Sequence, residues 1–394
     1  PPDRMGEEYV LSSDNFFAPY IDIYDDGELN TYTQKNEERP LDVQVLSEIK
    51  AIAVEEARVR LGFSSGEVLS LQPYNGFLRI RLSAEGQEQP VRYAFLPELK
   101  KRSGTWKNAV LRSSKEGQIT ETEYGAEDVA EGFEIQTIRD DEPASETEGN
   151  ADGGNGIDET DESSGEKAQS LDPDSINGTE DNLLIVEGGG FRCEIQLKPF
   201  KLTAYENAAD SVVLRTSRIM VNGKERVLWY EAPENASYYG FGEKSGPLNK
   251  DGERMKMWNT DAYGYGRKSD PLYISMPVYL QRIEDSVQGM HLENPGQSFF
   301  DMEHWQEGLV GLGTFRGDLD LYVFPSDSAE DFNTRYTELT GRYPLPPEWT
   351  LGYQQCRFSY YPQERVLELA RQFREKELPA DVIYLDIDFM NQYK

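Results

Sequence analysis

The stretch that most constrains this chain lies near its C-terminus, where two short apolar runs flank an amphipathic helix and leave no room for a hairpin. Leu351 to Phe358 is a strand candidate, and Pro362 to Glu377 places Val366, Leu369, Ala370 and Phe373 on one helical face. Val382 to Leu385 reads as a buried strand. A strand, a crossover helix and a second strand imply a parallel pair joined by a right-handed crossover. One such unit cannot cover its own faces and edges. The expectation is that residues 349–394 open a larger α/β domain and that the chain is a fragment, completed by further sequence or by a second polypeptide.

Upstream the pattern is different. From Ala51 to Phe133 and from Leu183 to Val323, short runs of strand formers are separated by Gly, Asn and Pro. Phe77 to Leu82 alternates with period two after Asn75-Gly76, and Phe191 to Leu197 does so after three glycines. Val212 to Leu214, Ile219 to Val221 and Arg226 to Tyr230 flank further turns. Many short strands with turn signals predict a β-sandwich. Val43 to Leu61 reads as a helical exception. Ser328 to Leu339 reads as a helix with Ala329, Phe332, Tyr336 and Leu339 on one face and Gly341 just beyond its end. Tyr343 to Pro347 is a stiff linker. The expected organisation is a sandwich over 1–325, a helix and linker over 326–348, and the β-α-β unit over 349–394.

Charge narrows the function classes. Forty basic residues against 72 acidic ones give a net charge of −32, which argues against nucleic acid and anionic membrane surfaces as partners. No run of the sequence is long and apolar enough to read as a membrane span. A soluble protein is expected, with cytoplasmic residence leading and secretion or an organelle left open. Residues 140–182 carry fifteen acids against Lys167 alone and read as a disordered acidic insert. Two cysteines, Cys193 and Cys356, exclude a disulfide framework and a multi-cysteine zinc site.

Few motifs carry chemistry. Asp386-Ile387-Asp388 follows Tyr384-Leu385, so two carboxylates at i and i+2 are expected on one side of a strand's C-terminal end, the active-site rim of an α/β barrel. Such acids also commonly cap the next helix. Trp258 to Gly266 combines Asp261 and Asn259 with three aromatics and two glycines, a mixture suited to sugar hydroxyls and to the apolar faces of pyranose rings. Tyr239-Gly240-Phe241-Gly242-Glu243-Lys244 fits neither nucleotide-binding spacing. His291 and His304 lack zinc-helix spacing and read as surface or packing residues, no serine sits in a nucleophile elbow, and no cofactor or metal is expected.

Taken in order, Tyr239 to Lys244, Trp258 to Asp261, Ser269-Asp270-Pro271-Leu272-Tyr273, Leu351 to Phe358 and Ile383 to Met390 resemble glycoside hydrolase family 31, and its α-glucosidases most. The resemblance runs from about Gly76 to Lys394, with the acidic insert as a departure. It implies a β-sandwich N-terminal domain followed by the start of a (β/α)8 TIM barrel, of which only the first two strands are present. It also implies retaining cleavage of α-glycosidic bonds. Asp386 matches an acid that binds hydroxyls of the non-reducing glucose, and Ile387 its apolar neighbour. Asp261 matches an acid that a sandwich loop contributes to the next subsite, Phe358 an aromatic nearby, and Arg357 and Trp258 look like support.

The family's nucleophile and acid/base are aspartates on later barrel strands, beyond Lys394, so no catalytic residue is assigned. A retaining glycosidase needs that carboxylate pair about 5 to 5.5 Å apart, and the isolated chain is expected to be inactive. The leading expectation is an exo-acting α-glucosidase, with α-linked oligosaccharide and the remainder of the barrel as partners. An α-xylosidase, transglucosylase or α-glucan lyase of the same family, or a non-catalytic carbohydrate-binding subunit, stands as the alternative.

Overall fold

A computed structural model describes residues 43–84, 104–115, 118–125, 133–136, 182–206, 211–284, 286–357 and 360–391. The acidic insert lies outside the described residues, and so does Phe358. The chain divides into two compact units, Pro1–Thr340 and Gly341–Lys394.

The first unit is built of antiparallel strands. Its earlier strands are β1 (Gln44–Val45), β2 (Ile49–Glu55), β3 (Arg58–Phe63), β4 (Glu67–Tyr74), β5 (Phe77–Ala84), β6 (Trp106–Lys115), β7 (Gln118–Tyr124) and β8 (Phe133–Gln136). There follow β9 (Leu183–Gly188), β10 (Phe191–Leu197), β11 (Phe200–Glu206), β12 (Ser211–Asn222), β13 (Glu225–Glu231) and β14 (Ser237–Gly242). The last are β15 (Arg254–Met257), β16 (Ser275–Ile283), β17 (Ser286–Leu292), β18 (Ser298–Met302), β19 (Leu309–Thr314) and β20 (Leu319–Ser326). Among the described residues one sheet runs β14-β16-β17-β20-β5-β4-β3-β2-β8. The other runs β15-β18-β19-β13-β12-β11-β10-β9-β6-β7, with β1 added beside β12.

The sheets pack face to face. Ile52, Leu69 and Ile80 of the first share one core with Leu184, Ile195 and Leu312 of the second, all almost wholly buried. Turns come where glycine supplies the required backbone: Gly76 joins β4 to β5 at φ 91, and Gly189 and Gly190 join β9 to β10 at φ 56 and 89. In β10 each apolar residue is buried and each polar one half-exposed, as its alternation predicts.

Two elements depart from the sequence reading. The helix expected over Val43 to Leu61 is instead β1, β2 and β3. A bulge between Ile49 and Ala51 adds a residue to β2, so the buried Ile49 and Ile52 stand three apart, a helix-like interval inside a strand. In β5 the alternation is real, but its polar face is not solvated. Arg79 donates from Nε and Nη2 to the two carboxylate oxygens of Asp320, each at 2.7 Å, and Arg81 pairs with Asp318. Burial alone would depress the Arg79 pKa, and the charge and hydrogen bonds of Asp320 more than reverse it.

Polar groups also bridge the two sheets. The Tyr230 and Tyr279 hydroxyls lie 2.8 Å apart, and Tyr230 donates to Gln281 Oε1 at 2.8 Å. Burial pushes both phenols up, and burial with the Glu303 hydrogen bond does the same to Tyr238. Tyr336 is pushed up to about 12 by burial and by Glu293. A phenol that stays protonated in the folded state stabilises it fully below the unfolded pKa of about 10, and that contribution is lost as pH rises toward the folded value. Urea midpoints are therefore expected to fall from about pH 10 upward, with a second step of tyrosinate absorbance, from the buried phenols, appearing together with unfolding after the exposed tyrosines have ionised. Independent ionisation of these phenols near pH 10 in the folded chain would contradict it.

The outer face of the β14-to-β8 sheet is covered by α1 (Ala329–Thr340), capped by Ser328 Oγ accepting from Asp331 N–H at 3.2 Å and ending before Gly341 at φ 97. Phe332 seats directly over Gly289 of β17, where a Cβ would stand 2.0 Å from its ring. His291, between β17 and α1, bonds Glu293 at 2.8 Å, while His304 bonds the Gly252 carbonyl at 2.7 Å. His291 is a buried packing group and His304 is an exposed surface one, in line with the expectation that both are surface or packing residues.

The second unit holds β21 (Gln354–Gln355), α2 (Gln363–Glu375) and β22 (Val382–Ile383), and β21 pairs with β22 in parallel. The parallel unit is therefore present, but with strands shorter than Leu351 to Phe358 and Val382 to Leu385 suggested. Leu351 lies in a 3-10 turn, and Leu385 is exposed rather than buried. On α2 the expected apolar face is only half-buried. A short parallel pair with one helix offers too little second layer to bury it.

Candidate functional site

In the first unit the candidate residues lie on the segment between β15 and β16. It is shaped by a bulge at the end of β14, where the register against β16 shifts between Gly240 and Gly242. Gly240, Phe241 and Gly242 have φ of 125, 72 and 81 in succession. A Cβ on Gly240 would lie 2.6 Å from the Val278 carbonyl oxygen, and one on Gly242 2.7 Å from that of Ile274, so neither position admits a side chain. Phe241 holds a left-handed backbone that an aromatic residue seldom adopts, and it is fixed by stacking on Tyr279 at 5.0 Å and an edge contact with Phe300 at 5.3 Å.

Beyond the bulge, Lys244 turns inward. Its Nζ donates to Asp270 Oδ1 at 2.6 Å and to the Lys256 carbonyl at 2.5 Å, while Asp270 Oδ2 accepts from Lys256 N–H at 2.5 Å. The Lys244 side chain is 2 % exposed. Burial holds its pKa below the usual lysine value, with Asp270 opposing. The sequence reading rejects this motif as a phosphate loop and counts it toward the family resemblance, with no role for Lys244. The signal it passed over was a lysine behind a strained glycine pair with an aspartate in a later motif.

Above that base the two limbs of the loop are cross-linked. Thr260 N–H donates to the Leu272 carbonyl at 2.9 Å, and Ser275 N–H donates to Asn259 Oδ1 at 2.7 Å. The Tyr273 phenol is pushed up by desolvation and by the neighbouring Asp261 carboxylate. Asp261 itself is exposed, as are Trp258, Tyr263 and Tyr265. An ionised carboxylate with free acceptor positions beside open aromatic faces can take sugar hydroxyls and stack against pyranose rings.

In the second unit, Asp386 and Ile387 follow β22 and are exposed. The two-carboxylate arrangement expected of an extended strand end is not what forms. Asp386 has φ 59, and Ile387–Phe389 is a 3-10 turn whose first N–H donates to Asp386 Oδ1 at 2.7 Å. The capping alternative is thus realised for Asp386, and it occupies one of roughly four acceptor positions on the carboxylate. The Asp388 side chain lies outside the described residues. Arg357 is exposed and lies over the Tyr360 ring, 5.6 Å from its centre, while the Tyr360 hydroxyl accepts from Gln355 Nε2 at 2.8 Å. Tyr384 donates to Gln354 Oε1 at 2.5 Å, tying the ends of β21 and β22 together.

Among the described residues no group of three or more His, Cys, Asp or Glu could hold a metal ion. No helix there is long and apolar enough to cross a membrane. Cys193 is buried and its thiol pushed far up by burial, and Cys356 is exposed and free.

Comparison with known proteins places both units. Residues 157–301 match the glycosyl hydrolase 31 N-terminal galactose mutarotase-like domain, and residues 343–394 match the glycosyl hydrolases family 31 TIM-barrel domain. The chain belongs to glycoside hydrolase family 31. Its fold is accordingly the family's sandwich followed by the start of its barrel domain. The family 31 chain is 39% identical over 203 residues to alpha-glucosidase 2 of Bacillus thermoamyloliquefaciens, an alignment covering 51% of this chain and 26% of that protein. With an alpha-glucosidase of Saccharolobus solfataricus it shares 34% over 157 residues, 39% of this chain and 22% of the relative. It thus spans about a quarter of the length of these curated relatives. A family 31 dextranase from Flavobacterium johnsoniae, solved with isomaltotriose, superposes with a TM-score of 0.63 at 20% identity, covering 88% of this chain and 34% of the dextranase. At that identity the likeness speaks for the fold alone.

Proposed function

We propose that this chain is part of a retaining, exo-acting α-glucosidase that releases glucose from the non-reducing ends of α-linked oligosaccharides. The observation that carries the reading is Asp386: an exposed carboxylate just beyond a parallel strand, with one oxygen spent on its own cap and the other open, in the segment matched to the family's barrel domain. The alpha-glucosidase relatives favour glucose as the sugar released. In this reading Asp386 accepts hydrogen bonds from hydroxyls of the terminal glucose, and Ile387 gives that ring an apolar neighbour. Asp261 and Trp258 are assigned to the adjoining sugar, and Arg357 and Phe358 are further candidates for contact with the substrate. Nucleophile and acid/base come from the remainder of the barrel, which also covers the apolar side chains that the second unit leaves exposed. Binding by these acids aligns the glycosidic bond for in-line attack, so their contribution is orientation, not bond making.

Hydrolysis of maltose and of longer maltooligosaccharides by the protein with its complete barrel tests this directly. Free glucose with the α-anomer formed first supports it. Xylose release, transfer products or an unsaturated sugar would move the activity to another branch of the family, and no turnover of any α-glucoside would end the proposal. Asp261→Asn is expected to leave turnover of an aryl α-glucoside, which has no second sugar, near wild type and to raise KM for maltose and longer substrates by about 10-fold, the loss of one charge-assisted hydrogen bond. An equal fall on the aryl glucoside and on maltose would remove Asp261 from the second sugar's site.

A further inference from the structure

Nothing in the binding roles above calls on the Lys244–Asp270 pair. We infer that Lys244 is a positioning residue: its buried ammonium clasps the base of the β15–β16 loop and thereby sets where Asp261 stands. The inference rests on the reading of Asp261 as a substrate-binding acid. Three segments meet at this one nitrogen. Lys244 arrives from the bulge after β14, Lys256 from within β15, and Asp270 from the returning limb of the loop. The clasp fixes Asp270, two residues before Leu272, whose carbonyl accepts at 2.9 Å from the N–H of Thr260, the residue next to Asp261. Position therefore passes from the buried pair along the returning limb, and across this hydrogen bond, to the backbone that carries the exposed carboxylate. The strained Gly240-Phe241-Gly242 bulge makes sense in the same terms, because it turns Lys244 into the interior while Glu243 N–H pairs with the Ile274 carbonyl at 2.8 Å.

Two exposed tryptic sites, Arg267 and Lys268, report on the loop. In the full chain, Lys244→Met and Asp270→Asn are expected to speed cutting after these residues about 10-fold or more, the size expected when local opening becomes easier by one decade. Cutting at sites outside the loop stays unchanged. Lys244→Arg, which keeps the charge, restores part of the resistance. If Lys244→Met does not fold, Asp270→Asn carries the test alone, since its amide oxygen can still accept from Lys256 N–H. Unchanged cutting in either folded variant overturns the clasp.

Kinetics on the protein with its complete barrel test the link to Asp261. Lys244→Met is expected to raise KM for maltose and longer maltooligosaccharides about 10-fold with a much smaller effect on an aryl α-glucoside, and to have no further effect in an Asp261→Ala background. Additive effects of the two changes would mean that Lys244 does not act through Asp261. Should Asp261→Ala leave KM untouched, the reading of Asp261 fails, while the cutting experiment still decides whether Lys244 holds the loop.

Discussion

Asp320→Ala is expected to destabilise the sandwich by about 3 to 5 kcal/mol, the usual cost of stranding one partner of a buried ion pair. That is about a fifth or more of the stability of a typical domain. Asp320 has 0% of its side chain exposed, and it accepts both bonds of the Arg79 fork. Removing it leaves a guanidinium that cannot deprotonate and that water hardly reaches, 4% exposed and backed by the Tyr322 ring at 5.6 Å and by a long contact to Gln72. The pair joins β5 to β20, which are far apart in sequence and adjacent in the sheet, so the loss falls on the seam closing the β14-to-β8 sheet. Equilibrium urea unfolding measures it. The double change Arg79→Met with Asp320→Leu is the decisive companion, because replacing both charges by apolar groups of similar size is commonly neutral or stabilising. A small loss in Asp320→Ala, or an equally large one in the double variant, would show that the charge pair is not what the seam depends on.

That seam also marks where the sequence is hard to read. Period-two alternation in Phe77 to Leu82 correctly divides the strand into two faces, yet nothing local says that the arginine face is buried. Only a partner strand more than two hundred residues away supplies the acids that make burial tolerable. The Phe191 to Leu197 strand is legible because its neighbours β9 and β11 are close in sequence and its polar face reaches solvent. Val43 to Leu61 misleads for a third reason, since one extra residue at a bulge turns a strand interval into a helical one. The parallel unit was legible as a unit, because helix periodicity over Gln363–Glu375 is unambiguous, whereas the extent of its flanking strands depends on pairing with neighbours that residue patterns do not reveal.

Candidate residues follow the same division. The exposed aromatics of Trp258 to Gly266 are readable from composition, since rings crowded beside glycines and an acid seldom serve a core. The clasp beneath them was not readable, because Lys244 and Asp270 belong to separate motifs and come together only through a backbone bulge. At Asp386 the residue type is legible and its conformation is not. An i, i+2 spacing places side chains together only on an extended strand, whereas β22 stops at Ile383 and the positive φ of Asp386 leads into the 3-10 turn that holds Asp388.

That conformation sharpens what Asp386→Asn should do in the protein with its complete barrel. Asparagine accepts a cap hydrogen bond as well as aspartate does and tolerates positive φ, so the 3-10 turn over Ile387–Phe389 should persist. What disappears is the negative charge on the open oxygen, and with it the extra strength of charge-assisted bonds to sugar hydroxyls, about 1.5 to 3 kcal/mol. The expected outcome is a fall in kcat/KM on maltose of about 10- to 100-fold at unchanged thermal stability. Asp386→Ala should do more, because it also leaves the Ile387 N–H without its cap, and it alone should lower the melting temperature. If Asp386→Asn turns over maltose like the wild type, the carboxylate is a cap and nothing else, and the terminal glucose must be held by other groups. If both variants lose stability equally, the loss of activity would trace to the turn and not to the charge. Only the split result, with activity lost in both and stability lost in Ala alone, makes this aspartate a binding group whose open oxygen faces the sugar.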